Sequence, residues 1–447
     1  MIRLTVADLV RQARIWSGLF LLTIVVGFVA GFAAMLVETG LVQGGAVRQT
    51  LDGASSMVLV FTGISAVVVI AGAANLTVAL QQRGYALWQV VGVSPSRVGV
   101  VVRAQLGLVG IGGGLLGCAL TTTVMRPLFA YFFQTWGDEV LSTPLRLGPV
   151  SFLCVGVGVG VLCMAGGHRA ARRASRVPPV EALREPEPPR VRMGVLRGVL
   201  VVATLGGVTA LAWRLGDGDF SSIVNRGMFL TPAVVALMAA WGPVLYPAAQ
   251  RIWSALVPAR MSGAWFLARH DARSRVSQST AVIAPLMVAI ALVGGLYSGA
   301  ATLGAAAPAW TGQQGDWTIQ TEAVAVMLGG PLLVGTTGAA VAVFMASGAR
   351  ERQVALLQAA GADRGVILRA AWGEATIHAA TAVLLGAAAT VIGSGFLAAG
   401  LGLSAPIVAW GPILLVGAVG AGLITLATLV PTAAALRMPV SRVLAAE

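Results

Sequence analysis

Lysine is missing altogether: all 30 basic residues of this 447-residue chain are arginine. A Walker-type phosphate loop needs a lysine to reach the β- and γ-phosphates of a nucleotide, so the chain is not an ATPase by that route. Charge is scarce too, at 11% of residues, against about 25% in soluble domains. An ordinary water-soluble globule is thereby excluded. Histidine and cysteine occur three times each. His168, His270 and His378 are far apart, while Cys118, Cys154 and Cys163 lie in apolar stretches without CxxC spacing. A zinc site, a disulfide framework and a catalytic triad therefore lack support, and no catalytic or metal-binding residue is expected. The net charge of +13 does not point to nucleic acid, because the arginines sit in short loops between apolar segments rather than in a soluble basic domain.

What the chain has in abundance is hydrophobic residues, 57% of the total. Several runs reach the ~20 residues that a helix needs to cross a ~30 Å hydrocarbon core. They are continuous rather than alternating, which argues for helices and against a closed barrel. Reading the runs against charged and turn-rich breaks gives ten spans, near 16–37, 57–80, 100–123, 149–166, 197–213, 228–248, 281–303, 321–346, 371–400 and 411–436. The first run is too long for a signal-peptide core and is expected to be retained. Trp16, Trp213, Trp372 and Trp410 fall near span ends, where an indole can bury its ring and keep its N–H hydrated.

Alternating the loops puts Arg48, Arg126, Arg146, Arg214 and Arg226 on one side and the other 25 arginines opposite. By the positive-inside rule the arginine-rich side, with both termini, is cytoplasmic. The expected location is the bacterial inner (plasma) membrane.

An internal similarity pairs Arg83-Gly-Tyr-Ala86-Leu87-Trp-Gln89-Val-Val-Gly92 with Arg352-Gln-Val-Ala355-Leu356-Leu-Gln358-Ala-Ala-Gly361. In the same register Gln105 falls opposite Glu374. A second pair, Arg176-Val-Pro178 with Leu183 and Arg437-Met-Pro439 with Leu444, ends each half. The expected layout is a four-span unit at 1–185, a Pro-rich linker with spans five and six at 186–259, and a second four-span unit at 260–447. An even number of inserted spans makes this a parallel repeat. Pro186, Pro188 and Pro189 block a continuing helix in the linker.

Each repeated segment reads as a short amphipathic helix. Ala86, Leu87, Val90 and Val91 form one apolar face, and Val354, Ala355, Leu356 and Ala360 the other. Gly92 and Gly361 are placed to cap them in the left-handed conformation. Such a helix can dock in a groove of a soluble motor or lie on lipid headgroups.

These segments and the two Arg-x-Pro ends resemble the FtsX-like permease family of ABC transporters, in a duplicated ten-span layout similar to that of bacitracin-efflux-type permeases. The resemblance implies an all-α polytopic membrane protein with about ten transmembrane helices: two four-helix FtsX-like units plus two intervening helices. It also implies a permease subunit that binds no cofactor itself and draws on ATP through a separate cytoplasmic ABC ATPase, one motor protomer per coupling segment. The ATPase-coupling residues it implies are Arg83, Ala86, Leu87, Gln89, Gly92, Arg352, Ala355, Leu356, Gln358 and Gly361. The chain departs from the family in having only short loops near 38–56 and 304–320, where relatives usually carry a large extracytoplasmic domain.

Polar residues inside spans are functional candidates by default, which singles out Asn75, Glu374 and His378. Glu374 and His378 share a helix face, and Glu374 lies close enough to the span end to pair with Arg369 instead. Gly113 and Gly117 form a small-xxx-small pair suited to helix packing. The expected partners are the ATPase, membrane lipid and an unidentified amphiphilic or membrane-embedded substrate that is exported, extracted or acted on by force. The alternative is a non-transporting regulator that passes ATPase motion to an extracytoplasmic partner, with Phe129 to Trp136 as its outer contact. An ion-coupled carrier would want charge pairs at mid-bilayer, and only Glu374 and Asn75 approach that description.

Overall fold

The computed structural model describes residues 7–9, 11–134, 138–174, 195–216, 219–258, 262–274, 276–312 and 321–438. Among them there is no strand. Nine helices among the described residues are long and apolar enough to cross a membrane, and Arg197–Trp213 is a shorter apolar helix. The chain is thus an all-α, multi-pass membrane protein. The linker at 184–192 and the Arg176–Pro178, Leu183, Pro439 and Leu444 positions lie outside the described residues.

The chain divides into two compact units, one of residues 1–189 with 320–341, the other of residues 190–319 with 342–447. The first unit contains α1 (Ala13–Gln43), α2 (Gly45–Leu80), α3 (Gln82–Val90), α4 (Pro95–Phe133), α5 (Asp138–Leu141) and α6 (Pro149–Ala174). The second contains α7 (Val195–Trp213), α8 (Phe220–Ala240), α9 (Gly242–Ala255), α10 (Gly263–Ser274), α11 (Val276–Thr311), α13 (Arg364–Gly400) and α14 (Trp410–Ala435). Helix α12 (Thr321–Ala359) contributes 321–341 to the first unit and 342–359 to the second, although the sequence repeat assigns all of it to the second half.

Two expectations about connections are corrected. The stretch 38–56 is helical, because α1 and α2 continue to Gly44 and Gly45, which turn the chain with φ of 70° and 56°. Glycine enters this region without a Cβ penalty. The sixth span lies at 220–240 rather than 228–248. The helix breaks at Trp241 before Pro243, whose ring blocks the hydrogen bond and the space that a continuing helix needs.

Small residues hold the first unit together at backbone distance. A Cβ at Gly117 of α4 would lie 2.0 Å from the Ile24 carbonyl oxygen of α1, and one at Gly27 would lie 2.5 Å from the Gly114 oxygen. A Cβ at Gly110 would lie 2.7 Å from Gly160 Cα of α6. Thr121 Oγ1 donates to Phe28 O at 2.8 Å, and Thr23 Oγ1 donates to Val109 O at 3.2 Å. In lipid, where tails are as apolar as the helices, such close packing and hydrogen bonding drive association. Gly113 and Gly117 therefore pack against α1, and Cys118 and Cys163 are buried while Cys154 is exposed.

The end of α1 also clamps the start of α6. Gly148 N and Ser151 Oγ donate to Glu38 Oε2 at 2.8 and 2.5 Å, and Arg146 N donates to Thr39 Oγ1 at 3.1 Å. These side chains satisfy amide donors around a helix N-terminus, where a carboxylate also meets the positive end of the dipole. The second unit uses the same device with neutral hydroxyls. Ala409 N donates to Ser298 Oγ at 3.0 Å and Ile407 N to Thr302 Oγ1 at 3.2 Å, tying α11 to the start of α14.

Candidate functional site

The two repeated segments adopt closely matched local geometry. Helix α3 ends at Val90, Gly92 has φ of 96°, and the next helix starts from Ser94 with φ and ψ of −62° and 143°. Helix α12 ends at Ala359, Gly361 has φ of 86°, and the next helix starts from Asp363 at −66° and 146°. Gly92 N donates to Gln89 O at 3.0 Å and Val93 N to Trp88 O at 2.9 Å; Gly361 N donates to Gln358 O and Ala362 N to Leu357 O at the same distances. This is the Schellman arrangement, which satisfies the last carbonyls and needs a residue free to take positive φ. In the second segment Asp363 adds a side-chain cap to Gly365 N at 3.0 Å.

The segments differ in how they begin. A break at Gln81 separates α3 from α2, whereas residues 351–359 are simply the end of the continuous α12. The second segment is therefore not a separate short helix as the sequence suggested.

Their buried faces correspond residue by residue. Tyr85, Trp88, Val93 and Val98 join the core of the first unit together with Ala174 at the end of α6. At the matching positions Val354, Leu357, Ala362 and Ile367 form a cluster with Ala435 and Leu436 at the end of α14. Ala86 and Ala355 are buried at 2% and 3% exposure, while Leu87 and Leu356 stand half out at 50% and 52%. The expected apolar faces are thus corrected: Ala86, Val354 and Ala355 face inward and hold the segment in place, and Leu87 and Leu356 are presented outward. Gln89 Nε2 donates to Ala174 O at 3.1 Å, so it anchors α3 to α6. The side chains of Arg83 and Arg352 lie outside the described residues.

A buried polar chain underlies the first segment, and the sequence reading missed it. Tyr85 Oη donates to Gln81 Oε1, with Gln105 Oε1 at 3.4 Å. Gln105 Nε2 donates to Asp8 Oδ2 at 2.8 Å, and Gln12 Nε2 donates to Asp8 Oδ1 at 2.9 Å. Burial, with the Asp8 charge adding to it, pushes the Tyr85 hydroxyl pKa well above its ordinary value, so it remains a donor. In the second unit Gln353 Nε2 donates to Asp271 Oδ2 of α10 at 2.5 Å. In each unit an aspartate on a helix just before a long span, Asp8 before α1 and Asp271 before α11, is thus tied to the region of the repeated segment. An Asp in each of the two polar stretches before an apolar run was the available signal.

The intramembrane candidates are not brought together as one site. Asn75 donates through Nδ2 to Ala71 O at 2.6 Å and Gly166 O at 3.4 Å, linking α2 to α6 in the first unit. Glu374 and His378 are both buried in the second unit, with His378 Nε2 at 3.0 Å from Ser279 Oγ of α11. Arg369 Nε donates to Gly365 O of its own helix at 3.1 Å. No group of three or more His, Cys, Asp or Glu among the described residues is arranged to hold a metal ion. Phe129 and Phe133, expected at an outer contact, are buried and stacked at 4.6 Å, leaving Tyr131 exposed beside them; Trp136 lies outside the described residues.

Residues 348–440 match the family described as FtsX-like permease C-terminal. This stretch is an FtsX-like permease domain. The match takes in the second repeated segment with its Gly361 cap, all of α13 and all of α14. Comparison with curated proteins gives no match. The chain is accordingly an ABC permease-type membrane protein of the FtsX-like kind.

Proposed function

We propose that this FtsX-like protein is the permease subunit of an ABC transporter and moves or extracts an amphiphilic, membrane-embedded substrate. A separate cytoplasmic ATPase dimer closes on two coupling elements, α3 and the end of α12, and supplies the ATP chemistry that the lysine-free chain lacks. The observation that carries this reading is the pair of Gly-capped segments, each locked to its unit by a buried face and each offering one half-exposed leucine. An identical lure on two rigid mounts suits a two-protomer motor. The duplicated layout, four spans at 1–185 and four at 260–447, belongs to the same reading. It is supported by the matching caps and by the matching clamps at the starts of α6 and α14.

Force transmission is favoured by helix length. Helices of 31, 36 and 39 residues, α1, α2 and α4, run about 46–58 Å at ~1.5 Å per residue, well beyond a ~30 Å core. Their far ends share a core of Phe32, Leu36, Leu51, Phe129 and Phe133, so movement at the coupling end would be carried across the bilayer by packed helices.

Purified alone, the chain should show no ATP hydrolysis, and nucleotide turnover should appear only with an added ABC ATPase; robust turnover by the isolated chain would overturn the assignment. Orientation is checked separately by cysteine labelling in intact cells. Cysteines at positions 46, 217 and 313 should react with an impermeant maleimide, and those at 175 and 359 should not. Reaction at 359 with protection at 46 would invert the topology.

A further inference from the structure

We infer that the corner between α9 and α10 is a binding site for the headgroup of an anionic phospholipid, built by Arg251, Arg269 and Arg273 beneath an apolar rim. Arg269 and Arg273 lie one turn apart on the same face of α10, and Arg273 also reaches across to α9, donating to Arg251 O at 3.1 Å and Ser254 Oγ at 2.9 Å. Like charges at this spacing destabilise a helix rather than support it. The repulsion is felt: desolvation first, then the charges of Arg269 and Arg251, lower the Arg273 pKa from its ordinary value. The Nε atoms of both Arg269 and Arg273 are buried and have no hydrogen-bond partner among the described residues. Buried donors of a cation without an acceptor are costly. Two neighbouring guanidinium groups with unspent buried donors, with the Arg251 charge acting on the same corner, form a receptor for a phosphate oxyanion, the group that arginine's fork geometry fits best.

The surroundings decide between a lipid phosphate and a free one. The corner carries exposed Ile252 on α9, Leu256 just past its end and Phe266 on α10, an arrangement suited to acyl chains and ill-suited to water. Trp253 and Trp265 meet edge-on with ring centres 6.4 Å apart, and the Trp253 indole donates to Thr381 Oγ1 of α13 at 2.8 Å. Tryptophans of this kind mark the level of the headgroups. Ala268 and Ala272 seat α10 on Ile377 of α13, where Gly373 allows the approach. The site therefore rests on the FtsX-like domain itself, and the inference requires only that the chain spans a membrane, independently of transport.

The test uses the full chain in neutral detergent, with retained lipids counted by native mass spectrometry. Dioleoyl-phosphatidylglycerol, dioleoyl-phosphatidylcholine and inorganic phosphate are the probes. Phosphatidylglycerol should be retained preferentially. R269Q/R273Q should weaken its retention roughly thirtyfold, at the strength expected for two interfacial cations. R269K/R273K should keep most of it, and R126Q/R146Q should leave it unchanged. The double glutamine variant relieves repulsion but gives up the Arg273 bonds to α9, so R269Q alone, which leaves both bonds in place, should weaken retention about fivefold with an unchanged melting temperature. Equal retention of both lipids, or unchanged phosphatidylglycerol retention in R269Q/R273Q, overturns the proposal. Displacement of the lipid by millimolar inorganic phosphate would also overturn it, by showing a free-anion site.

Discussion

Leu87→Asp and Leu356→Asp are each expected to weaken association with the ATPase about a hundredfold. Each leucine is half-exposed on a helix whose other face is locked into its unit. A carboxylate placed there costs nothing in the free permease but must be desolvated when a motor groove closes over it, at about 3 kcal/mol. Since ~1.4 kcal/mol is a factor of ten, that is about two decades per contact. Ala86→Asp makes the contrasting control: that side chain is buried against its own unit, so the charge should lower the level of folded protein. The leucine variants should keep normal membrane levels and lose ATPase co-purification, with the double variant worst. If both single variants and the double variant retain the ATPase complex at wild-type levels, the segments merely lie on lipid and the docking reading fails.

Much of this was legible in the sequence, because lipid imposes simple rules. Continuous apolar runs located the helices, and the Gly92 and Gly361 positions announced the caps, since only a residue free of Cβ strain ends a helix in that way. What sequence could not supply was direction. Ala86 and Leu87 are equally apolar neighbours, yet one is core and the other surface; a helix of nine residues has too few turns for periodicity to separate them. Glu38 looked like a loop residue and proved to be the cap of another helix, because the acceptor of a helix N-terminus can come from anywhere in the fold. Asp8 and Asp271 stayed hidden for the same reason: their partners, Gln105 and Gln353, are distant in sequence. The match over 348–440 coincides with the half in which the cap carries both its glycine and its Asp363 side chain.

Substituting Gly117 with leucine should dismantle the first unit, while the same change at Gly158 should be silent. A Cβ at Gly117 meets the Ile24 oxygen at 2.0 Å and the Phe28 nitrogen at 2.6 Å, both backbone atoms that cannot rotate aside. Nothing lies within 4 Å of the corresponding point at Gly158. Leucine at position 117 therefore forces α1 and α4 apart. Overpacking of this kind costs ~1–3 kcal/mol and occasionally more. Separation also threatens the Thr121–Phe28 and Thr23–Val109 hydrogen bonds, worth on average about 0.6 kcal/mol each in a membrane bundle. Those terms together reach roughly 2–4 kcal/mol, a large fraction of the 5–15 kcal/mol that holds a typical fold. The protein carries its own reporters, since Cys118 and Cys163 are buried in this unit and Cys154 is exposed. In a Cys154→Ser background, a thiol-reactive fluorophore should remain dark on the folded protein and light up as the helices part. Gly117→Leu should shift that transition markedly to lower temperature, or leave the thiols reactive from the start, and Gly158→Leu should follow the parent curve. Superimposable curves for the two variants would mean that α1 and α4 are not held at backbone contact.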